Sequence, residues 1–218
     1  LFPKTNLLFY PKNKIKNELA SSFKRLKDIE LSVKDNKILE VSLIERKGQY
    51  IWCGETPEVE VTLSSENKCY FVDESGFIFD EAPYFSGEAY FKLYGKVSEG
   101  VDPVGTYFLE TNFNEIILFK NALESIGING VAFYKMNTED AKLYLSNSSA
   151  LPLGPEIIFK IDSDFQKLVE NLQSALATEP LLSGFKNKYS SLLYINLRFG
   201  NKVYYKFTPG SGVTSSEN

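Results

Sequence analysis

Four carboxylates gathered in one short stretch, Asp73, Glu74, Asp80 and Glu81, are the side chains best suited to acid/base work in this chain. Two carboxyl groups flanking a glycosidic bond can hydrolyse it, one as acid and the other as nucleophile or base. The same residues also fit a structural role. Asp73-Glu74-Ser75-Gly76 has the composition of a turn, and Asp80-Glu81 stand just before Pro83 at a strand end. The structural reading is the stronger one, and no catalytic residue is assigned.

No histidine occurs anywhere in the 218 residues. That excludes the Ser-His-Asp and Cys-His nucleophile systems, the histidine zinc sites and the commonest general base. The two cysteines, Cys53 and Cys69, lie at the edges of neighbouring strand-like segments. Bonded, they would close a loop worth roughly 3 kcal/mol by the chain-entropy argument; the alternative is a pair of buried thiols. Without histidine they are too few for a structural zinc site, so no metal is expected. The glycines at 95, 100, 105, 127 and 130 form no phosphate-cradling loop, and no cofactor is expected. Glu45-Arg46 reads as a satisfied surface or inter-module ion pair before a binding pair. Asn147-Ser148-Ser149 is formally a glycosylation sequon, but reads as a polar loop before Leu151-Pro152-Leu153-Gly154.

A net charge of −4 gives no basic field for nucleic acid. Aromatics at 14%, with frequent Val and Ile, favour sheet. No apolar run is long enough to span a membrane. The chain starts Leu1-Phe2-Pro3 rather than with Met, and reads as a fragment whose signal or anchor has been cut away.

These residues must be positioned by an α+β arrangement. Residues 6–9 form a short strand. Ile15, Leu19, Phe23 and Leu26 recur at helical spacing after Pro11 and Asn13. Ile29, Leu31, Val33 and then Leu39, Val41, Leu43 alternate about an Asp35-Asn36-Lys37 turn. This gives a β-α-β-β module over residues 1–52, one helix on a three-stranded sheet. A β domain follows over 53–207, mostly antiparallel, with two packed helices and a disordered tail at 208–218. Its strands are expected at 50–53, 58–63, 69–72, 77–79, 90–94, 131–134, 141–145 and 156–161. One helix carries Ile116, Phe119, Leu123 and Ile126 and stops at Gly127. The other carries Phe165, Leu168, Val169, Leu172 and Leu176, opened by a capping box between Ser163 and Gln166.

The end of the chain is the most telling part. Leu193 onward alternates to Phe199, Gly200-Asn201 supplies a tight turn, and Lys202-Val203-Tyr204-Tyr205-Lys206-Phe207 alternates again. Val203, Tyr205 and Phe207 share the core face; Lys202, Tyr204 and Lys206 share the other. Nothing in the polar tail can pair with this last strand, whose free edge either stays guarded by its lysines or receives a strand from a partner.

Taken in order, several stretches resemble the extracytoplasmic part of the bacterial division family FtsQ/DivIB. The opening unit through Trp52 is similar to its POTRA module, ending in Leu39-Glu40-Val41-Ser42-Leu43-Ile44-Glu45-Arg46. Tyr70-Phe71-Val72-Asp73-Glu74-Ser75-Gly76-Phe77-Ile78-Phe79 resembles a family hairpin, the helix from Phe165 to Leu176 its late helix, and Tyr194 to Phe207 its closing hairpin. The chain departs from the family at Lys47-Gly48, where a proline is usual, at Asn196, where Asp is favoured, and in its paired cysteines.

The resemblance implies a non-enzymatic scaffold of the division complex. It would be held in the cell membrane by a single N-terminal helix, with this region on the extracytoplasmic side. It also implies that the last strand accepts a strand from an FtsB/DivIC-type partner that pairs with FtsL. Carried over by position, the acceptor is Phe199, Lys202, Val203, Tyr204, Tyr205, Lys206 and Phe207. Two other readings stand beside it: a POTRA-containing outer-membrane assembly or secretion component, and a carboxylate-dependent envelope hydrolase.

Overall fold

A computed structural model of the chain describes residues 10–35, 37–57, 68–85, 87–97, 102–146 and 153–208. The strands expected at 6–9 and 58–63, the sequon at 147–149 and the tail from 209 lie outside the described residues. The fold is α+β, as the alternation of periods implies.

The first unit is a helix, α1 (Lys12–Ser22), and a hairpin of β1 (Leu26–Lys34) and β2 (Ile38–Glu45). The helix is shorter than its apolar spacing predicts. Phe23 caps it, 57% exposed, and Leu26 opens β1, its N–H closing a turn onto the Phe23 carbonyl at 3.0 Å. Ile29, Leu31 and Val33 face Leu43, Val41 and Leu39 across an antiparallel ladder, the predicted pairing. The strands differ sharply in burial. β1 turns Ile29 and Leu31 fully inward, whereas Ile38, Val41, Leu43 and Ile44 of β2 are all about half exposed.

The larger unit is one nine-stranded sheet, in the order β11-β10-β9-β8-β7-β6-β3-β4-β5. Its strands are β3 (Tyr50–Trp52), β4 (Cys69–Val72), β5 (Ile78–Ala82), β6 (Phe91–Tyr94), β7 (Gly130–Lys135), β8 (Asp140–Leu145), β9 (Glu156–Lys160), β10 (Leu192–Phe199) and β11 (Lys202–Phe207). Its helices are α2 (Phe113–Ser125), α3 (Phe165–Leu176) and the short α4 (Leu181–Asn187), which the sequence reading did not include. A boundary after residue 52 therefore falls inside this sheet: β3 pairs with β4 on one side and β6 on the other. Gln49 already bonds the Val72 carbonyl, and the Trp52 indole N–H donates to the Gly95 carbonyl at 2.9 Å, so the strand is held by the second unit.

The sheet is mixed. Its hairpins are antiparallel, but β3–β6, β6–β7 and β9–β10 are parallel. Each of the last two parallel pairs needs a crossover, and α2 and α3 supply them. β6 and β9 point the same way and both crossovers step toward β11, so crossovers of the usual right hand place both helices on one face. They meet there: Phe119 of α2 stacks on Phe165 of α3 with ring centroids 5.0 Å apart. Beneath them Ile116, Phe119, Leu123, Leu168 and Leu172 seal against Phe133, Leu143, Ile157 and Phe159 of the sheet.

Two helix ends follow simple capping chemistry, one of them shifted by a residue from expectation. Gly127, at φ +84°, stands just past α2, where a left-handed residue closes the last turn. At α3 the N-cap is Asp164, not Ser163. The Asp164 carboxylate accepts the Lys167 N–H at 3.1 Å, while the Gln166 amide donates forward to Glu170. Both residues have cap chemistry, and the acid one position later has its acceptor in reach of the N3 donor.

Candidate functional site

β11 ends the sheet, and among the described residues it pairs with β10 alone. The turn between them is Gly200-Asn201, with Gly200 at φ +65° and Asn201 outside the left-handed region, the pattern of a type II′ hairpin turn. In a two-residue hairpin the flanking residues, here Phe199 and Lys202, form an inward hydrogen-bonded pair. At the other end the Thr208 N–H bonds inward to the Ser191 carbonyl at 2.7 Å. Alternation between these two points turns the N–H and C=O of Val203, Tyr205 and Phe207 away from β10. Among the described residues, those three carry the open main-chain groups.

The two faces of β11 do different things. Val203, Tyr205 and Phe207 are half-buried against the core. Phe207 lies on α4, where a Cβ added at Gly184 would come within 2.8 Å of its ring. Lys202, Tyr204 and Lys206 are exposed on the opposite face. Tyr204, 50% exposed, meets Phe199, 54% exposed, edge to face at 5.3 Å. The seven acceptor residues named from the sequence are thus together, but in two roles. Phe199, Lys202, Tyr204 and Lys206 expose their side chains; Val203, Tyr205 and Phe207 turn theirs to the core and secure the strand.

Beneath the hairpin is a polar group that residue patterns did not reveal. Asn196, buried in β10, accepts from the Arg198 backbone N–H at 3.2 Å and from its Nε at 3.1 Å. Arg198 in turn reaches Asp140 of β8 at 2.8 Å and lies 5.8 Å from the centre of the Phe199 ring. This chain of contacts holds the turn end of the hairpin to the interior of the sheet. Asn196 stands between the core residues Ile195 and Leu197 and so lies on the other face of β10 with Arg198, where alternation alone gives no sign that it is buried.

The four carboxylates at the opposite edge do not converge on a cleft. Asp73 pairs with Arg46, Glu74 with Lys27, Asp80 with Arg25, and Glu81 with Lys68 at 3.1 Å. Three of those four cations belong to the first unit or its exit, so the cluster fastens the two units together. Arg46 makes an inter-module ion pair with Asp73, one of the two structural readings of Glu45-Arg46. Its guanidinium also lies over the Phe77 ring at 4.2 Å. Gly48, where the family resemblance would place a proline nearby, runs against the Phe71 ring, and an added Cβ would sit 2.4 Å from it. Among the described residues no group of three potential ligands could hold a metal.

Cys53 and Cys69 are disulfide-bonded. They continue the β3–β4 ladder one step beyond the Trp52–Tyr70 pair. The bond therefore ties together two strands at the far half of the sheet from β11.

Set against known proteins, the chain matches no family model, and no curated protein is similar enough to count as a relative.

Proposed function

We propose that this region is a non-enzymatic scaffold that receives a β-strand from another polypeptide along β11. The observation that carries the reading is an aromatic edge strand with outward main-chain groups at Val203, Tyr205 and Phe207 and no second neighbour among the described residues. Strand addition takes affinity from main-chain hydrogen bonds and specificity from alternate side chains. The side chains here are Tyr204 and Phe199 between Lys202 and Lys206. A donor strand with an apolar residue over Tyr204 and carboxylates opposite the lysines is the complement.

This supports the division-scaffold reading suggested by resemblance. There the chain is the extracytoplasmic part of an FtsQ/DivIB-type protein anchored by a single N-terminal span, and the donor is the FtsB/DivIC-type partner paired with FtsL. The test is Val203→Pro, which deletes an outward donor and spares the bonds to β10. The variant should remain folded by circular dichroism and lose co-purification with the extracytoplasmic segment of the FtsB/DivIC-type protein from the same cell. A folded Val203→Pro protein that binds as well as wild type rejects strand addition.

A further inference from the structure

A second surface, on the helical face and away from the β11 edge, carries an open apolar groove. α2 and α3 each carry two apolar lines. One line seals the sheet: Ile116, Phe119 and Leu123 on α2, Leu168 and Leu172 on α3. The second runs sideways at i, i+4 spacing, Leu118 and Ala122 on α2, Phe165 and Val169 on α3. The second lines face each other across an open groove of about 500 Å³, floored by the stacked Phe119 and Phe165 rings. Leu118, on its wall, is 66% exposed, an apolar side chain that the fold itself leaves in water.

The charges around the groove are of one sign. Glu115 stands on the α2 wall, Asp164 and Glu170 on the α3 wall, and among the described residues no lysine or arginine lines the groove. Lys120, the nearest cation on the α2 sequence, is turned to Glu124 and the Phe91 ring. An apolar trough between two helices of about three turns each, acidic along both lips, is complementary to one kind of occupant. We propose that it docks an amphipathic helix of a partner protein, an apolar stripe flanked on both sides by Lys or Arg. A third helix laid there would bury Leu118 and Val169 and meet carboxylates on either side.

The experiment uses designed peptides and the whole chain. One is an amphipathic Leu/Lys helix with a single leucine stripe; the second is its Leu/Glu counterpart; the third is the Leu/Lys composition scrambled to remove the stripe. The expected result is saturable binding of the first alone, with amide shift changes confined to α2 and α3. Leu118→Ser should weaken it about tenfold, the order expected for one apolar anchor. Glu115→Lys with Glu170→Lys should weaken it at least as much. Leu118 and both glutamates are exposed, so these variants should fold, and unchanged thermal midpoints check that. Equal binding of the scrambled peptide, shift changes elsewhere, or indifference to Leu118→Ser overturns the proposal. Sedimentation as a dimer abolished by Leu118→Ser also overturns it, because the occupant would then be a second copy of this chain.

Discussion

The guanidinium of Arg46, at the exit of β2, donates to the carboxylate of Asp73 in the turn that links β4 to β5. Asp73 is wholly buried and fully engaged: it also accepts from the Ser75 N–H at 2.9 Å, the Ser75 hydroxyl at 2.7 Å and the Phe77 N–H at 3.1 Å. Arg46 adds a bond from its Nε to the Lys24 carbonyl at 3.2 Å. One buried ion pair thus joins the hairpin unit to the large sheet, with the Arg25–Asp80 and Lys27–Glu74 pairs at its rim.

Removing one partner of such a pair strands the other. Asp73→Asn should destabilise the protein at pH 7 by about 3–5 kcal/mol. The exposed rim variant Lys27→Ala should change stability by no more than about 1 kcal/mol. Burial on its own would raise the Asp73 carboxyl, but the bonds from Ser75, Arg46 and Phe77 together hold it below its ordinary value. A depressed folded value means that this stabilisation is complete above the unfolded carboxyl's pKa, about 4, and is lost as pH falls through the folded value. Urea unfolding of wild type and Asp73→Asn should therefore show a stability gap that is constant from pH 7 to about 5 and narrows below about 4. A gap that does not change with pH would mean that the carboxylate is not what holds the junction.

Under the proposed strand addition, the two faces of β11 would separate binding from stability. Tyr204 touches Phe199 and solvent, so Tyr204→Ala should weaken partner binding about tenfold with little change in midpoint. Phe207 instead packs on α4 at Gly184, so Phe207→Ala should cost about 1–3 kcal/mol in urea unfolding. If the two variants exchange these phenotypes, the assignment of faces is reversed.

Much of this arrangement is readable from residue types because short-range rules govern it. Gly200-Asn201 between alternating strands needs nothing beyond its own neighbours to make a hairpin, and the β1–β2 pairing likewise joins two adjacent alternating segments. What residue patterns miss is decided at long range. Tyr50-Ile51-Trp52 alternates like any strand, and only its partners Phe71 and Lys92, distant in sequence, place it in the large sheet. The parallel pairs escape notice for the same reason, since crossover pairing is not encoded in a turn. α4 is missed because seven residues around Gly184 carry too weak a period, and its helix is held by Leu181 and Phe207. At the edge site, the alternation of Lys202 to Phe207 separates the two faces. Which main-chain groups point outward follows only from the Thr208–Ser191 bond and the hairpin register.

The disulfide offers a prediction about where stability resides. Cys53 and Cys69 are 16 positions apart, and opening that loop should cost about 3 kcal/mol by the chain-entropy argument. Reduction, or the double variant Cys53→Ala with Cys69→Ala, should lower the midpoint of unfolding while leaving partner binding at β11 unchanged. The reason is distance: five strands, β6 to β10, separate β3 from β11. Loss of binding at a temperature where the reduced protein is still folded would show coupling across the sheet that this reasoning excludes.

The start of α3 supplies a test that distinguishes two neighbouring residues. Asp164 accepts the Lys167 N–H, and its charge lies at the positive end of a helix that forms one wall of the groove. Asp164→Ala should cost about 1 kcal/mol, whereas Ser163→Ala should be within about 0.5 kcal/mol of wild type. Thermal unfolding of the two variants checks the order. Because Asp164 is also one of the three carboxylates lining the groove, Asp164→Asn is the informative companion. The amide keeps the cap oxygen and loses the charge, so most stability should return while the basic peptide binds more weakly. Full recovery of both would assign Asp164 to the cap alone and leave the acidic lip to Glu115 and Glu170.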